Sequence, residues 1–214
     1  MDDVNGPQSG SASDNDHDEL LRLAAPAPPT ATRADAARNR AKILDAAERL
    51  FAEHGVGAVS MDAVATAAGV GKGTLFRRFG DRSGLAVAVL DARESVLQAA
   101  ILGGPPPLGP GAPPADRLRA FLAAYAEFLD THLDLVRVSE TASAGARYRI
   151  GAYRFWHRHV AIQIRAARPD LDHEYLAHAL LAPLGGDLRA ALRDEYPWRR
   201  TVDALDSLVT ALLG

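Results

Sequence analysis

Lys72, Thr74, Arg77, Arg78 and Arg82 crowd donors and positive charge into one short stretch of a 214-residue chain. Guanidinium and ammonium groups bind phosphate oxygens, a threonine hydroxyl bonds a phosphate or a base edge, and arginine is the commonest reader of guanine. The neighbouring residues supply the elements that must hold these groups. Ser60 is placed to cap a helix whose first turn carries Asp62, where the macrodipole favours an anion, and whose Val64, Ala65 and Ala68 share one small apolar face. Gly69 then stops that helix by accepting a left-handed backbone, and Val70 packs back on it. A second helix over 72–79 turns Leu75 and Phe79, spaced i, i+4, inward and leaves Lys72, Thr74, Arg77 and Arg78 outside. Two short helices about such a turn make a helix-turn-helix, whose second helix enters the major groove of duplex DNA.

The preceding segment fits a supporting helix. Ile43, Leu44, Ala47, Leu50 and Phe51 form an i, i+1, i+4, i+7, i+8 stripe that ends near Gly55. Over residues 38 to about 90, where the run Ala-Gly-Val-Gly-Lys-Gly-Thr-Leu-Phe-Arg-Arg-Phe follows Val64-Ala65, the chain resembles the TetR/AcrR family of transcriptional regulators. The resemblance implies a DNA-contacting set of Arg38, Ser60, Lys72, Gly73, Thr74, Phe76, Arg77, Arg78 and Arg82. Three residues depart from the family's pattern. Phe76 stands where a tyrosine commonly touches a phosphate, Gly71 replaces a common serine, and Arg78 stands where a histidine is frequent. The first two changes each remove a backbone contact, while Arg78 supplies a charge that imidazole often lacks at neutral pH.

The resemblance also implies an all-α fold: an N-terminal three-helix helix-turn-helix domain over 33–82 and a helical ligand-binding and dimerisation domain over 83–214. Its expected partners are a double-stranded DNA operator, a small-molecule effector and a second copy of the chain, paired through the last two long helices. Pairing has an independent argument, because two readers double the DNA contacts and set the half-site spacing. Two functional readings follow. One is a repressor released from DNA by its ligand; the other is a ligand-independent DNA-associated factor whose C-terminal bundle only dimerises.

Composition is compatible with both. With 48% hydrophobic residues the chain can bury one helical domain and a smaller one. It has no cysteine, which excludes disulfides and thiolate metal sites and suits a reducing cytoplasm. Its apolar runs fall short of the roughly 20 residues that span a bilayer, and its N-terminus is acidic where a signal peptide is basic, so a soluble cytoplasmic protein is expected. A net charge of −3 and a pI near 6.2 run against a nucleic-acid binder. The distribution resolves this: residues 1–32 hold one arginine against six acids (−5), whereas residues 33–82 hold nine Lys or Arg against six acids (+3). Phosphate attraction is local because salt screens it within about 8 to 10 Å.

Residues 1–32, rich in Asp, Ser, Gly, Pro and Ala, read as a disordered acidic tail placed to compete with DNA for the basic reader. Arg33, Arg38 and Arg40 follow, either as an arm reaching DNA or as a solvated helix start. Asp81 caps a long helix with Leu85, Val89, Leu90, Val96, Leu97 and Ile101 as candidate buried positions. A proline-rich loop over 103–115 interrupts the chain. Helices are expected from Asp116 to about His132, from about Asp134 to Ser143, from about Ala146 to Ala167, from Asp172 to about Glu195 with a break near Pro183 and Gly185-Gly186, and from Trp198 to Leu213.

Small-molecule sites need aromatic and apolar walls with a few polar groups, and Tyr125, Phe128, His132, Tyr148, Trp156 and His159 are the candidates. A catalytic or metal reading finds no support. His157 and His159 point about 200 degrees apart on a helix, and His173 and His178 are spaced i, i+5, so neither pair has the i, i+4 presentation of a helical zinc site. No phosphate-binding glycine loop or serine elbow is present. No enzyme activity and no cofactor are expected.

Overall fold

Helix signals along the chain translate into eleven α-helices and two short 3-10 turns among the residues that the computed structural model describes, namely 11–24, 31–140, 145–149 and 151–214. The first three helices of the reader and its support are α2 (Ala31–His54), α3 (Met61–Ala68) and α4 (Lys72–Phe79). The stripe expected on α2 is buried: Ile43, Leu44, Ala47 and Phe51 all enter the core, and Gly55, at φ 78, takes the left-handed turn that ends the helix. Next, α5 (Arg82–Gly103) starts at Asp81, whose side chain accepts the Gly84 N–H at 2.8 Å. This helix joins the reader to the bundle, since it packs on α2, on α4 and on helices of the C-terminal half. Arg93 fixes the α2 contact, donating to Glu48 and pairing with Asp45.

The C-terminal half is built on α6 (Pro114–Thr131), α7 (Leu133–Glu140), α8 (Gly151–Ala167), α9 (His173–Leu181), α10 (Gly186–Leu192) and α11 (Trp198–Leu213). Of these, α8 has apolar residues on several sides, and it packs against α6, α9 and α5 as a central helix must. Ile150, Thr141 and Ser143 lie outside the described residues. The expected break near Pro183 is present as a 3-10 turn over Ala182–Leu184. Its two following glycines are required by close approach: a side chain at Gly185 would collide with the Arg147 guanidinium, and one at Gly186 would lie 2.9 Å from the Glu140 carboxylate. That carboxylate instead accepts the Gly186 N–H at 2.8 Å, and Arg147 donates to the Leu181 carbonyl at 2.7 Å.

The tail expectation needs correcting where it is described. Residues Ser11–Ala24 form a helix, α1, packed on α8 and α5, with Leu20 buried. Asp16 pairs with Arg158 and Arg165, and Glu19 pairs with Arg158 at 2.8 Å. Composition alone treated these acids as solvated, whereas arginines one heptad apart on α8 receive them more than a hundred residues later. They therefore sit on the bundle and do not lie against the reader. Asp16 is part-buried, so desolvation offsets much of the attraction in its pairs, and the buried leucine should dominate. Leu20→Asp is expected to release α1, seen as fast amide exchange over 16–23 with protection elsewhere unchanged.

Candidate nucleic-acid interface

The reader is built as its caps require. Ser60 is extended (φ −90, ψ 152) and its hydroxyl accepts the Ala63 N–H at 3.1 Å, so α3 begins at Met61. Gly69 at φ 64 and ψ 37 closes the helix, with the Val70 N–H reaching back to the Ala65 carbonyl at 3.0 Å. Gly71 is the N-terminal cap of α4 and, lacking a side chain, leaves that helix without a side-chain cap. Leu75 is fully buried beneath α4, and Phe79 packs partly buried against the core. Inward anchoring at those two positions sets the rotation of the helix and turns the other side chains to solvent.

Lys72, Gly73, Thr74, Phe76, Arg77 and Arg78 are all exposed on that one short helix. Their states differ. Lys72 donates to Asp62 at 2.7 Å and stands 5.8 Å over the Phe76 ring, so it ties α4 to α3. Arg77 and Arg78 have no hydrogen-bond or ion-pair partner among the described residues, leaving both guanidiniums available. Arg82, also expected to touch DNA, donates instead to the Gly57 carbonyl and pins the start of α5 to the loop before α3. Arg38 is exposed and paired with Asp35 one turn earlier, while Arg40 lies 6.0 Å over the Phe79 ring, which favours the helix-start reading for Arg40. The side chain of Arg33 lies outside the described residues. Ser60 is exposed and spends an oxygen lone pair on its cap, which leaves its hydroxyl proton free.

The second group of candidates is interior. Tyr125 stacks on Phe121 at 5.7 Å and lies 5.4 Å from Trp156, and Phe121 meets the edge of His159 at 5.1 Å. Phe128 continues the run, 6.1 Å from Tyr125 and 4.8 Å from His132. Five of the six candidate aromatics thus join into one strip between α6 and α8. Tyr148 does not: it is 58% exposed and packs edge-on against Tyr153, whose hydroxyl is 2.8 Å from His178 Nδ1. The turn over Ala146–Arg149 carries it outward, and the expectation that placed it at this wall is corrected.

Several interior polar atoms have no hydrogen-bond partner among the described residues. The Trp156 indole N–H and both ring nitrogens of His159 are buried without a hydrogen bond. Burial, with the Arg117 charge adding to it, pushes the His159 imidazole down to about 3. Burial also raises the Tyr125 phenol, and the charges of Glu94, Glu140 and Arg147 reach it. Glu94 and Gln98 on α5 were missed from the sequence, where Val96 was expected inside; Val96 is 62% exposed and the two polar residues are buried. Their signal was positional, since 90, 94, 98 and 101 lie on one face with Leu90 and Ile101.

The fold and the exposed face of α4 define a helix-turn-helix protein. Residues 43–89 match the family model described as bacterial regulatory proteins, tetR family, so the helix-turn-helix domain is of the TetR type. An HTH-type transcriptional regulator of Staphylococcus aureus strain USA300 is 45% identical over 58 residues, covering 27% of this chain and 31% of that protein. The chain thus matches about a third of the length of such relatives. The fold extends further: a TetR-like transcriptional regulator from Rhodococcus sp. RHA1 has a TM-score of 0.54 at 24% identity, covering 86% of this chain and 96% of that one. The fatty acid degradation regulator FadR from Bacillus halodurans has a TM-score of 0.60 at 17% identity over 82% of this chain and 94% of its own. These likenesses carry the arrangement of helices beyond residue 89, where the family model no longer matches.

Proposed function

We propose that the protein is a homodimeric transcriptional repressor of the cytoplasm that binds a double-stranded DNA operator through α4 and leaves it when a small molecule enters the C-terminal bundle. The observation that carries the DNA part is the outer face of α4, where Arg77 and Arg78 stand exposed beside Thr74 while Leu75 is buried beneath them. Among the described residues no helix is long and apolar enough to cross a membrane, which agrees with this setting. The unpartnered polar atoms at Trp156 and His159, inside an aromatic strip, support a ligand over a bundle that only dimerises. Release is a matter of linkage: a ligand that prefers the state with mis-spaced readers depopulates the DNA-bound state, and DNA weakens the ligand by the same factor. Selecting bound duplexes from a random pool and then adding metabolites to the complex tests both parts. No selected sequence removes the regulator reading, and a selected operator that no metabolite releases removes the effector.

Dimerisation is supported at α10 and α11. Leu188 is 46% exposed and Leu208 is 54% exposed, and an open cleft of about 350 Å³ is lined by Leu188, Leu192, Tyr196 and Ala204 together with Arg189 and Arg200. Leu205, one turn earlier on α11, is 1% exposed and belongs to the core of its own chain. Leu208→Glu should therefore dissociate the dimer with the helical content intact, because a carboxylate is not buried cheaply in an apolar interface. Sedimentation velocity reads the outcome; a Leu208→Glu chain that remains fully dimeric moves the interface elsewhere.

A further inference from the structure

Glu94 is 7% exposed on the part of α5 that packs toward α7 and α8, and no hydrogen bond or ion pair engages it among the described residues. A carboxyl is almost never buried alone, and a native structure normally supplies a cation or donors for it. The cations on the packed elements are engaged elsewhere: Arg117 of α6, whose charge reaches His159, donates to the Ile101 carbonyl at 3.1 Å. Arg147 lies 3.6 Å from Glu140 and donates to the Leu181 carbonyl; Arg93 on the same helix is held by Glu48 of α2. Arg158 of α8 is taken by Asp16 and Glu19 of α1, and Arg40 of α2 acts on Asp91. What faces Glu94 electrostatically is acidic, namely Asp91 one turn back and Glu140 on α7. Burial and these two acids together raise its carboxyl to about 8, so it is protonated at neutral pH.

An aromatic strip is buried in the same interior. The Tyr125 phenol senses the Glu94 charge, and its ring is continuous with Trp156 and Phe121 at 5.4 and 5.7 Å. Ring faces attract cations, most strongly when water is excluded. Beyond them the Trp156 N–H and the His159 nitrogens are buried and unpartnered, which leaves a donor and an acceptor for a neutral polar group at the far end. We propose that the bundle interior takes a monocationic organic ligand, its charged nitrogen at the Glu94 carboxylate and its apolar body against the Tyr125 and Trp156 rings. This rests on the ligand-gated reading above and specifies the chemical class of that ligand.

A proton must leave as the cation arrives, since ion pairing requires the ionised carboxyl. The test uses the full chain, benzyltrimethylammonium as a probe whose charge does not titrate, and its uncharged isostere neopentylbenzene. Binding is followed by Trp156 fluorescence in the Trp198→Phe background and by calorimetry in two buffers of different ionisation enthalpy. The ammonium compound is expected to bind at least tenfold more tightly than the isostere at pH 7. Close to one proton should be released at that pH and almost none at pH 9.5, a readout that needs no variant at Glu94. Glu94→Gln should bring the two affinities to within twofold. Equal binding of both probes, no binding of either, no proton release, or a preference that survives Glu94→Gln each overturns the inference. DNA release by uncharged metabolites alone would sink the cation class and leave the regulator standing. Binding of the ammonium probe with every property above, but no metabolite able to release DNA, would instead sink the gating and keep the interior site.

Discussion

Arg77→Ala and Arg78→Ala are each expected to weaken operator binding and flatten its salt dependence while the helical signal stays unchanged. Both side chains are exposed on α4 and neither has a hydrogen-bond or ion-pair partner among the described residues, so truncation removes no such bond. Each phosphate contact contributes about 0.9 to the slope of log K against log salt, and a dimer loses two contacts per substitution, so each change should lower the slope by about 1.8. If one arginine reads a guanine, its loss should instead cost about 1–3 kcal/mol on the selected operator and little on unrelated DNA. Neighbouring cations provide the contrast. Lys72 must give up Asp62 at 2.7 Å before it reaches a phosphate, so Lys72→Ala should change affinity less. Arg82→Ala breaks the tie to the Gly57 carbonyl and should lower the melting temperature, with its salt slope near that of the unsubstituted chain. Fluorescence anisotropy across a salt series measures all four. Unchanged slopes for both Arg77→Ala and Arg78→Ala would remove α4 from the DNA interface.

How much of this was legible in the sequence depends on the range of the interactions involved. The reader was legible because its determinants are local: Ser60 caps three residues ahead, Gly69 bends the backbone where it stands, and Leu75 with Phe79 fixes the rotation of α4 within one turn. The break at Pro183 and Gly185-Gly186 was legible for the same reason, although the approach of Glu140 and Arg147 that those glycines permit was not. Helix α1 was misread because its acids are neutralised by Arg158 and Arg165, partners that no local window contains. Glu94 was missed because charge was taken as a sign of exposure, and Val96 was misplaced by the converse argument. Position on the helix decided both. Tyr148 failed as a wall residue because the 3-10 turn before α8 changes the phase that a continuous helix from Ala146 would have given it.

The interior acid and the interior imidazole should give the protein a stability optimum that is bounded on both sides. Glu94 ionises near 4.5 in an unfolded chain and at about 8 when buried. Between those values the folded state keeps a proton that the unfolded state has lost, so unfolding releases it and rising pH favours unfolding. Stability should fall by about 1.4 kcal/mol per pH unit from this group and level off above 8. His159 works in the opposite sense: its ordinary value of 6.5 drops to about 3 on burial, so below 6.5 the unfolded chain takes up a proton that the folded one refuses, and stability falls as pH falls. From 4.5 to 6.5 the two slopes oppose each other and largely offset. Asp91 and Glu140, raised by burial, act in the same sense as Glu94, whereas His132 and His178, lowered by burial, act in the same sense as His159. Between pH 6.5 and 8 Glu94 acts without that opposition, and urea melts should lose about 2 kcal/mol across the interval. Glu94→Gln keeps the shape of the side chain and removes its ionisation, so it should abolish that loss and leave the variant more stable than the unsubstituted chain at pH 8. His159→Gln should flatten the acid side alone. A melt series that is level from pH 6.5 to 8 in the unsubstituted chain, or that declines equally in Glu94→Gln, would show that this carboxyl is solvated, and it would remove with it the reason for expecting a cation at its side.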